Sequence, residues 1–172
     1  MTAVHIGAIL GIGLAACATD IKSRRIPNVL TFGAAGAALI YQFVTGGTAG
    51  LQSAALGWVV GTAAFMPFFL LGGMGAGDVK LLAALGAWMG PGGAIWLAIY
   101  ASLAGGVLAI GVALANGYLR TAATNVRNLL TFWALVGPRP MPELTLDHKS
   151  TAPRLAYAIP IFVGSLVTLW TR

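Results

Sequence analysis

The chain has 172 residues, of which 58% are hydrophobic and only 8% are charged. This composition, with a mean hydropathy of +0.86, excludes a soluble globular domain, in which about 25% of residues are charged. It predicts an integral membrane protein. One cysteine, Cys17, and two histidines, His5 and His148, provide neither a disulfide framework nor a metal-binding cluster. We therefore expect no metal and no cofactor.

Apolar runs separated by turn residues predict an all-α protein, a polytopic bundle of about six transmembrane helices in a single domain covering residues 1–172. Glycine-rich breaks mark the turns at residues 46–50, 72–77 and 90–93. The fourth run is the shortest and reaches only about 16 Å, roughly half of the hydrocarbon core. The predicted spans are residues 2–19, 29–45, 51–71, 79–89, 94–119 and 155–171.

The positions of Lys and Arg predict the orientation of the bundle. If the N-terminus is outside and every run crosses, all basic residues except Arg172 face the cytoplasm. They lie in or beside the predicted loops 20–28, 72–78 and 120–154. Topology and anionic lipid then account for the net charge of +6. We therefore expect the lipid bilayer as a partner and no nucleic acid.

The first apolar run could instead be a lipoprotein leader, because residues 14–17 read Leu-Ala-Ala-Cys, similar to a lipoprotein cleavage box. A signal peptide carries positive charge before its apolar region, whereas here the positive charge follows it. We expect residues 2–19 to be retained as the first span.

Two of the four acidic residues, Asp20 and Asp78, lie at the ends of apolar runs. An even number of predicted crossings separates them, so we expect both at the cytoplasmic face. Glu143 and Asp147 lie in a proline-rich polar segment and are typical of solvated loop residues. Two carboxylates that meet within a few ångströms share a proton, because both cannot ionise easily. Such a pair could activate water and protonate a carbonyl oxygen, as in an aspartic protease.

Simpler interpretations of the two acids remain open. Asp78 could be the N-cap of the fourth helix, and Asp20 could be a charge at the membrane surface. Capping does not explain the alternating Gly73, Gly75 and Gly77, since one glycine is enough for a turn and each further one adds to the entropy lost on ordering. The alternation indicates that something approaches the backbone closely here.

Two segments resemble motifs of the type IV prepilin peptidases. Residues 75–80 read Gly-Ala-Gly-Asp-Val-Lys, which resembles the family's GxGD-plus-lysine segment. Residues 20–28 read Asp-Ile-Lys-Ser-Arg-Arg-Ile-Pro-Asn, which resembles its first aspartate motif. The resemblance runs from Asp20 to about Gly90. It extends more loosely to the last span, where the family often has Pro-Tyr-Ala and residues 156–158 read Ala-Tyr-Ala.

The resemblance implies that Asp20 and Asp78 are the catalytic pair of an aspartic endopeptidase of the bacterial inner membrane. Its substrate would be a prepilin or pseudopilin, cleaved at the cytoplasmic face between a short basic leader and an apolar helix. Larger family members also methylate the new N-terminus and carry an extra cytoplasmic segment between the first two spans. Only residues 21–28 separate Asp20 from the second span. The chain is therefore similar to the short peptidases of tight-adherence (Flp) pili, and we expect no methylation.

If the resemblance holds, Gly75 and Gly77 let an extended substrate backbone come close to Asp78, because a Cβ at either position would stand in the way. Four further motif residues are expected to bind substrate or shape the loops. Pro27 suits the first turn of the second span, because its missing N–H would be unpaired there, and Asn28 follows it. Lys22 and Lys80 each come two residues after an acid. We expect both lysines to reach towards lipid phosphates.

In the predicted loop 120–154, apolar residues recur at helical spacing and predict an amphipathic helix at the membrane interface. These residues are Val126, Leu129, Leu130 and Trp133.

Two alternative functions remain. A proton-coupled membrane transporter also carries aspartates among glycine-broken helices, near the middle of the membrane. A non-enzymatic membrane subunit of a pilus secretion system would use glycine and alanine for helix packing alone. The oligomeric state is not indicated.

Overall fold

The structure is a computed structural model that describes residues 2–71, 73–137 and 156–171. These residues form α-helices and no β-strand, which confirms the predicted all-α class. The helices are α1 (Ala3–Ser23), α2 (Asn28–Leu70), α3 (Ala76–Ala115), α4 (Leu119–Val136) and α5 (Ala158–Thr171).

Helices α1, α2 and α3 are long and apolar enough to cross a membrane, and α5 is a shorter apolar helix. Large apolar side chains such as Ile40, Leu103 and Val107 are more than half exposed on the outer surface. An extended apolar surface of this kind marks a protein that contacts lipid or a partner. These helices give the chain the character of a membrane protein. The count of six crossings and the external N-terminus remain predictions.

Helix α2 folds back on itself at Gly47. This glycine has φ 60° and ψ −146°, a conformation that residues with a Cβ rarely adopt. A Cβ added to Gly50 would overlap the carbonyl oxygen of Gln42, although a straight helix would separate these residues by about 12 Å. Helix α2 therefore consists of two adjacent arms, residues 28–46 and 48–70.

Helix α3 folds back in the same way at Gly90, which has φ 72° and ψ 176°. Pro91 follows and begins the next arm, a position where its missing N–H has no intrahelical partner. A Cβ added to Gly86 would lie 3.1 Å from the Cβ of Ala94. The two arms are residues 76–89 and 91–115, and both turns fall within breaks that the glycine pattern predicts.

The first arm of α3 forms the centre of the bundle, and Leu81, Leu82 and Leu85 in this arm are fully buried. It runs antiparallel to the second arm of α2. A Cβ added to Gly57 would overlap the carbonyl oxygen of Gly86, and one added to Gly61 would lie 2.8 Å from the Leu82 oxygen. Small residues therefore bring the two backbones into contact, as they do between transmembrane helices generally.

Two side-chain hydrogen bonds join the first arms of α2 and α3. Gln42 Nε2 donates to the carbonyl oxygen of Ala87 at 3.1 Å, and the buried Trp88 Nε1 donates to that of Ala34 at 3.0 Å. Each bond satisfies a polar side chain that would otherwise be unpaired in an apolar setting.

Helix α5 closes the bundle between α1 and α3. Gly164 lies against the backbone of Ala101, and Gly13 of α1 lies against the ring of Phe162. The hydroxyl of Tyr157 lies against Gly105. Because α5 runs antiparallel to α1, the first residues of α5 meet the last turn of α1.

Helix α1 extends beyond the apolar run that predicted it. It continues to Ser23, so Asp20 lies in its last turn and not in the predicted loop 20–28. A helix need not end where its apolar residues end. Here the positive charge of Lys22 in the last turn stabilises the helix, because it lies near the negative end of the helix dipole. Arg24 then ends the helix in the left-handed conformation (φ 52°, ψ 32°).

The remaining boundaries differ in a similar way. Helix α3 begins at Ala76, so Asp78 is helical and the predicted loop 72–78 is shorter. Helix α4 confirms a helix in the predicted loop 120–154, while its place at the membrane interface remains a prediction. Residues 138–155, with Glu143 and Asp147, lie outside the described residues.

We expect Gly57→Ala to destabilise the fold by about 1–3 kcal/mol, because the new methyl group must displace the backbone of α3. The matched control is Gly36→Ala, since an added Cβ there has no neighbour within 4 Å. Alanine favours the helix by up to about 1 kcal/mol, so the control should be neutral or slightly stabilised. Thermal unfolding in detergent measures both variants, and equal midpoints would contradict the proposed backbone contact.

Candidate active site

Asp20 is buried at the end of α1, with only 8% of its surface exposed. Its Oδ2 accepts a hydrogen bond of 3.2 Å from the backbone N–H of Ala158. Ala158 is the first residue of α5, so its N–H has no acceptor within that helix. A carboxylate buried in an apolar bundle requires such a donor. The start of α5 thus holds the Asp20 side chain in place.

Asp78 occupies the third position of α3. The N-cap of this helix is Gly75 (φ −77°, ψ 146°), and no side chain caps it. The interpretation of Asp78 as an N-cap is therefore wrong. The Asp78 carboxylate lies beside Gly75, because a Cβ added to Gly75 would be 3.1 Å from its Oδ2.

The structure brings Asp20 and Asp78 together at one end of the bundle. The last turn of α1 carries the first, the first turn of α3 carries the second, and the charge of Asp20 acts on Asp78. They are the only acidic residues in the described part of the chain. The two motifs, residues 20–28 and residues 75–80, therefore contribute to one polar cluster.

Tyr157 is a third side chain in this cluster, and sequence reasoning missed it. Its ring meets that of Phe65 edge-on, with 6.3 Å between the centroids. Tyr157 immediately precedes Ala158, whose N–H is bonded to Asp20, and a phenol hydroxyl ordinarily loses its proton only at about pH 10. The hydroxyl thus stays protonated at neutral pH and remains a hydrogen-bond donor. The available sequence signal was the partial match of residues 156–158 to the Pro-Tyr-Ala of the family.

The two glycines before Asp78 are closely approached by atoms of the chain itself. The Asp78 carboxylate lies beside Gly75, and a Cβ added to Gly77 would be 3.3 Å from the Cβ of Ile26. Ile26 belongs to the first aspartate motif, so the packing at Gly77 joins the two motifs. Contact of either glycine with a substrate remains a prediction.

Lys80 also joins the two motifs. Its Nζ donates to Asn28 Oδ1 at 2.9 Å and lies 5.3 Å from the ring centroid of Phe32, a cation–π distance. The sequence led us to expect Lys80 to reach towards lipid phosphates. The structure instead directs it towards the start of α2.

Pro27 and Lys22 take different positions. Pro27 is the N-cap of α2 (φ −62°, ψ 137°), one residue before the predicted first turn. Its carbonyl oxygen accepts the N–H groups of Leu30 and Thr31. Lys22 is exposed in the last turn of α1, and the structure does not bring it to the other motif residues.

The two carboxylates of the cluster suit proton transfer. The Tyr157 hydroxyl and the Ala158 backbone N–H can serve as hydrogen-bond donors beside them. Among the residues that the structure describes, no group of three or more His, Cys, Asp or Glu could hold a metal ion.

Comparison with known proteins places this chain in a family. The model of the type IV leader peptidase family matches residues 7–110, which is more than half of the chain and includes both aspartates. The chain belongs to this family.

Curated relatives match over the same region. The prepilin leader peptidase/N-methyltransferase of Dickeya chrysanthemi is 36% identical over 115 residues, covering 58% of this chain and 38% of the relative. The enzyme of the same name from Neisseria gonorrhoeae is 38% identical over 105 residues, covering 57% and 36%.

A third relative is the type 4 prepilin-like proteins leader peptide-processing enzyme of Escherichia coli O78:H11 (strain H10407 / ETEC). It is 34% identical over 104 residues, covering 56% of this chain and 39% of the relative. The chain thus spans less than two-fifths of the length of each of these relatives. No solved structure matches.

We expect Lys80→Met and Asn28→Ala to be coupled, because each removes the same hydrogen bond. In a double-mutant cycle, the coupling in the free energy of unfolding should be about 0.5–1.5 kcal/mol. Lys22→Met combined with Asn28→Ala is the control and should be additive. Additive behaviour of the Lys80 and Asn28 changes would rule out a stabilising bond between the motifs.

Proposed function

We propose that this chain is an aspartic endopeptidase that removes the leader from prepilin or pseudopilin substrates. The observation that carries the proposal is the proximity of Asp20 and Asp78, from two separate motifs, within the region that matches the family model. The relatives named above as prepilin leader peptidases support the substrate class.

The proposed chemistry uses the two carboxylates in different protonation states. One is ionised and takes a proton from a water molecule, whose oxygen attacks the carbonyl carbon of the scissile bond. The other is protonated and donates to the carbonyl oxygen. The C–N bond then breaks as the nitrogen is protonated, which releases the leader as a carboxylate and the pilin with a new N-terminal amine.

We place this reaction at the cytoplasmic face of the bacterial inner membrane. Lys22, Arg24 and Lys80 lie in the same helix turns as the two aspartates or directly beside them. Basic residues near the ends of spans favour the cytoplasm. The basic leader of a prepilin would remain on that side, with its apolar helix in the bilayer.

The alternative functions receive less support. A transporter would place its acids near the middle of the membrane, whereas Asp20 and Asp78 lie in terminal turns of α1 and α3. A purely structural subunit would not require a buried carboxylate at 8% exposure, since a neutral side chain there would avoid the cost of burying a charge.

We expect Asp20→Asn and Asp78→Asn each to abolish leader removal. Each change leaves one carboxyl group, which cannot both accept and donate a proton in the attack step, so the rate should fall by at least about 10³-fold. The measurement is loss of the leader from a purified prepilin, resolved by gel and mass spectrometry, with the enzyme reconstituted in vesicles.

Asp147→Asn is the matched control for these variants, because it makes the same change at an acid outside both motifs. It should process prepilin at the wild-type rate. Normal processing by either Asp20→Asn or Asp78→Asn would refute the two-carboxylate mechanism.

We also expect proteolysis without methylation. When the chain is incubated with prepilin and S-adenosylmethionine, the mature product should have an unmodified N-terminal amine. Intact-mass analysis distinguishes this product from one that carries an added methyl group. A methylated product from the purified chain would contradict the assignment to the short form of the family.

A further inference from the structure

The turn of residues 156–158 leads into α5 and includes its first residue, and it lies beside Asp20. Ala158 donates its backbone N–H to Asp20, and Tyr157 immediately precedes it. We propose that this turn is the positioning element of the active site, with the Ala158 N–H fixing the direction of the Asp20 carboxylate. The proposal rests on the proposed function, because it assigns a role within the same site.

The backbone bonds of this turn leave the Ala158 N–H for Asp20. The Ile159 N–H donates to the Ala156 oxygen at 3.3 Å, and the Ile161 N–H donates to the Tyr157 oxygen at 3.3 Å. Pro160 has no N–H to place. The first turn of α5 is thus satisfied internally except at Ala158, whose donor reaches a side chain 138 residues away in the sequence.

The turn and the helix that follows it pack closely against α3. The Tyr157 hydroxyl lies against Gly105, where an added Cβ would be 2.5 Å from that oxygen. Further along α5, an added Cβ on Gly164 would be 2.6 Å from the Ala101 nitrogen. A donor held by these contacts fixes the position of Oδ2 of Asp20, and so limits where the other carboxylate oxygen can meet water or Asp78.

Positioning of this kind affects the rate of reaction more than substrate binding. A misplacement of about 1 Å in a reacting group can lower a rate by roughly 100-fold. Removal of the N–H should therefore lower kcat by about 10–100-fold, while KM stays unchanged. A change that merely loosened the fold would alter KM and the unfolding temperature together.

The sharpest test replaces Ala158 by lactic acid, which exchanges the amide N–H for an ester oxygen and keeps the side chain. The control replaces Ile159 by its own α-hydroxy acid, which removes the neighbouring N–H in the same turn. We expect kcat for prepilin to fall only in the first variant. The genetic counterpart is Ala158→Pro, a residue that the first position of a helix accepts. Because proline also restricts the preceding Tyr157, the ester variant decides if Ala158→Pro does not fold.

Infrared spectroscopy tests the hydrogen bond without requiring activity. The ester at position 158 should shift a carboxylate stretching band, and this shift should vanish when Asp20→Asn is also present. A shift that persists with Asp20→Asn, or an unchanged kcat in the ester variant, would overturn the proposal. If the wild-type chain itself does not cleave prepilin, the proposed function fails, while the infrared result still decides whether this turn holds Asp20.

Discussion

The position of Asp78 depends on the backbone contact between Gly57 of α2 and Gly86 of α3. In a membrane, apolar side chains gain little by leaving lipid for protein, so helices associate through close packing and hydrogen bonds. Glycines at this contact allow the second arm of α2 and the first arm of α3 to touch along their backbones. The first arm of α3 begins only two residues before Asp78. Whatever holds this arm in the centre of the bundle therefore also places the Asp78 carboxylate.

Asp20 is placed by a different balance of forces. It lies at the C-terminal end of α1, where the helix dipole disfavours a negative charge, and it is almost fully buried. An unpaired buried charge costs several kcal/mol. The N-terminal end of α5 offsets this cost, because its positive dipole end and the Ala158 N–H meet the carboxylate directly. The antiparallel packing of α5 on α1 is what brings these two helix ends together. The hydrogen bond that offsets the cost of burying Asp20 therefore forms only when α5 packs on α1.

The parts of the fold that follow from local chemistry were predictable. Glycine clusters at residues 46–50 and 90–93 mark the two points where α2 and α3 fold back, and the paired motifs identify Asp20 and Asp78 as candidates. The end of α1 was placed too early, because the apolar run stops at Thr19 while the helix continues to Ser23. The contribution of Ala158 could not be predicted, since it is a backbone N–H and no side-chain pattern records it. The partner of this N–H, Asp20, is also determined by the packing of α5 against α1, which are far apart in the sequence.

The departure from the family pattern at Ala156 can be understood from the same turn. The family often has proline before the Tyr-Ala pair, and a proline there would restrict the backbone. In this chain the turn is restrained by other means. The ring of Tyr157 packs against Phe65, and its hydroxyl lies against Gly105. Pro160 restricts the backbone φ angle in the first turn of α5. The Ala156 oxygen still accepts the Ile159 N–H, so the donor of Ala158 remains available to Asp20. Alanine at position 156 therefore leaves the contact between the Ala158 N–H and the Asp20 carboxylate in place.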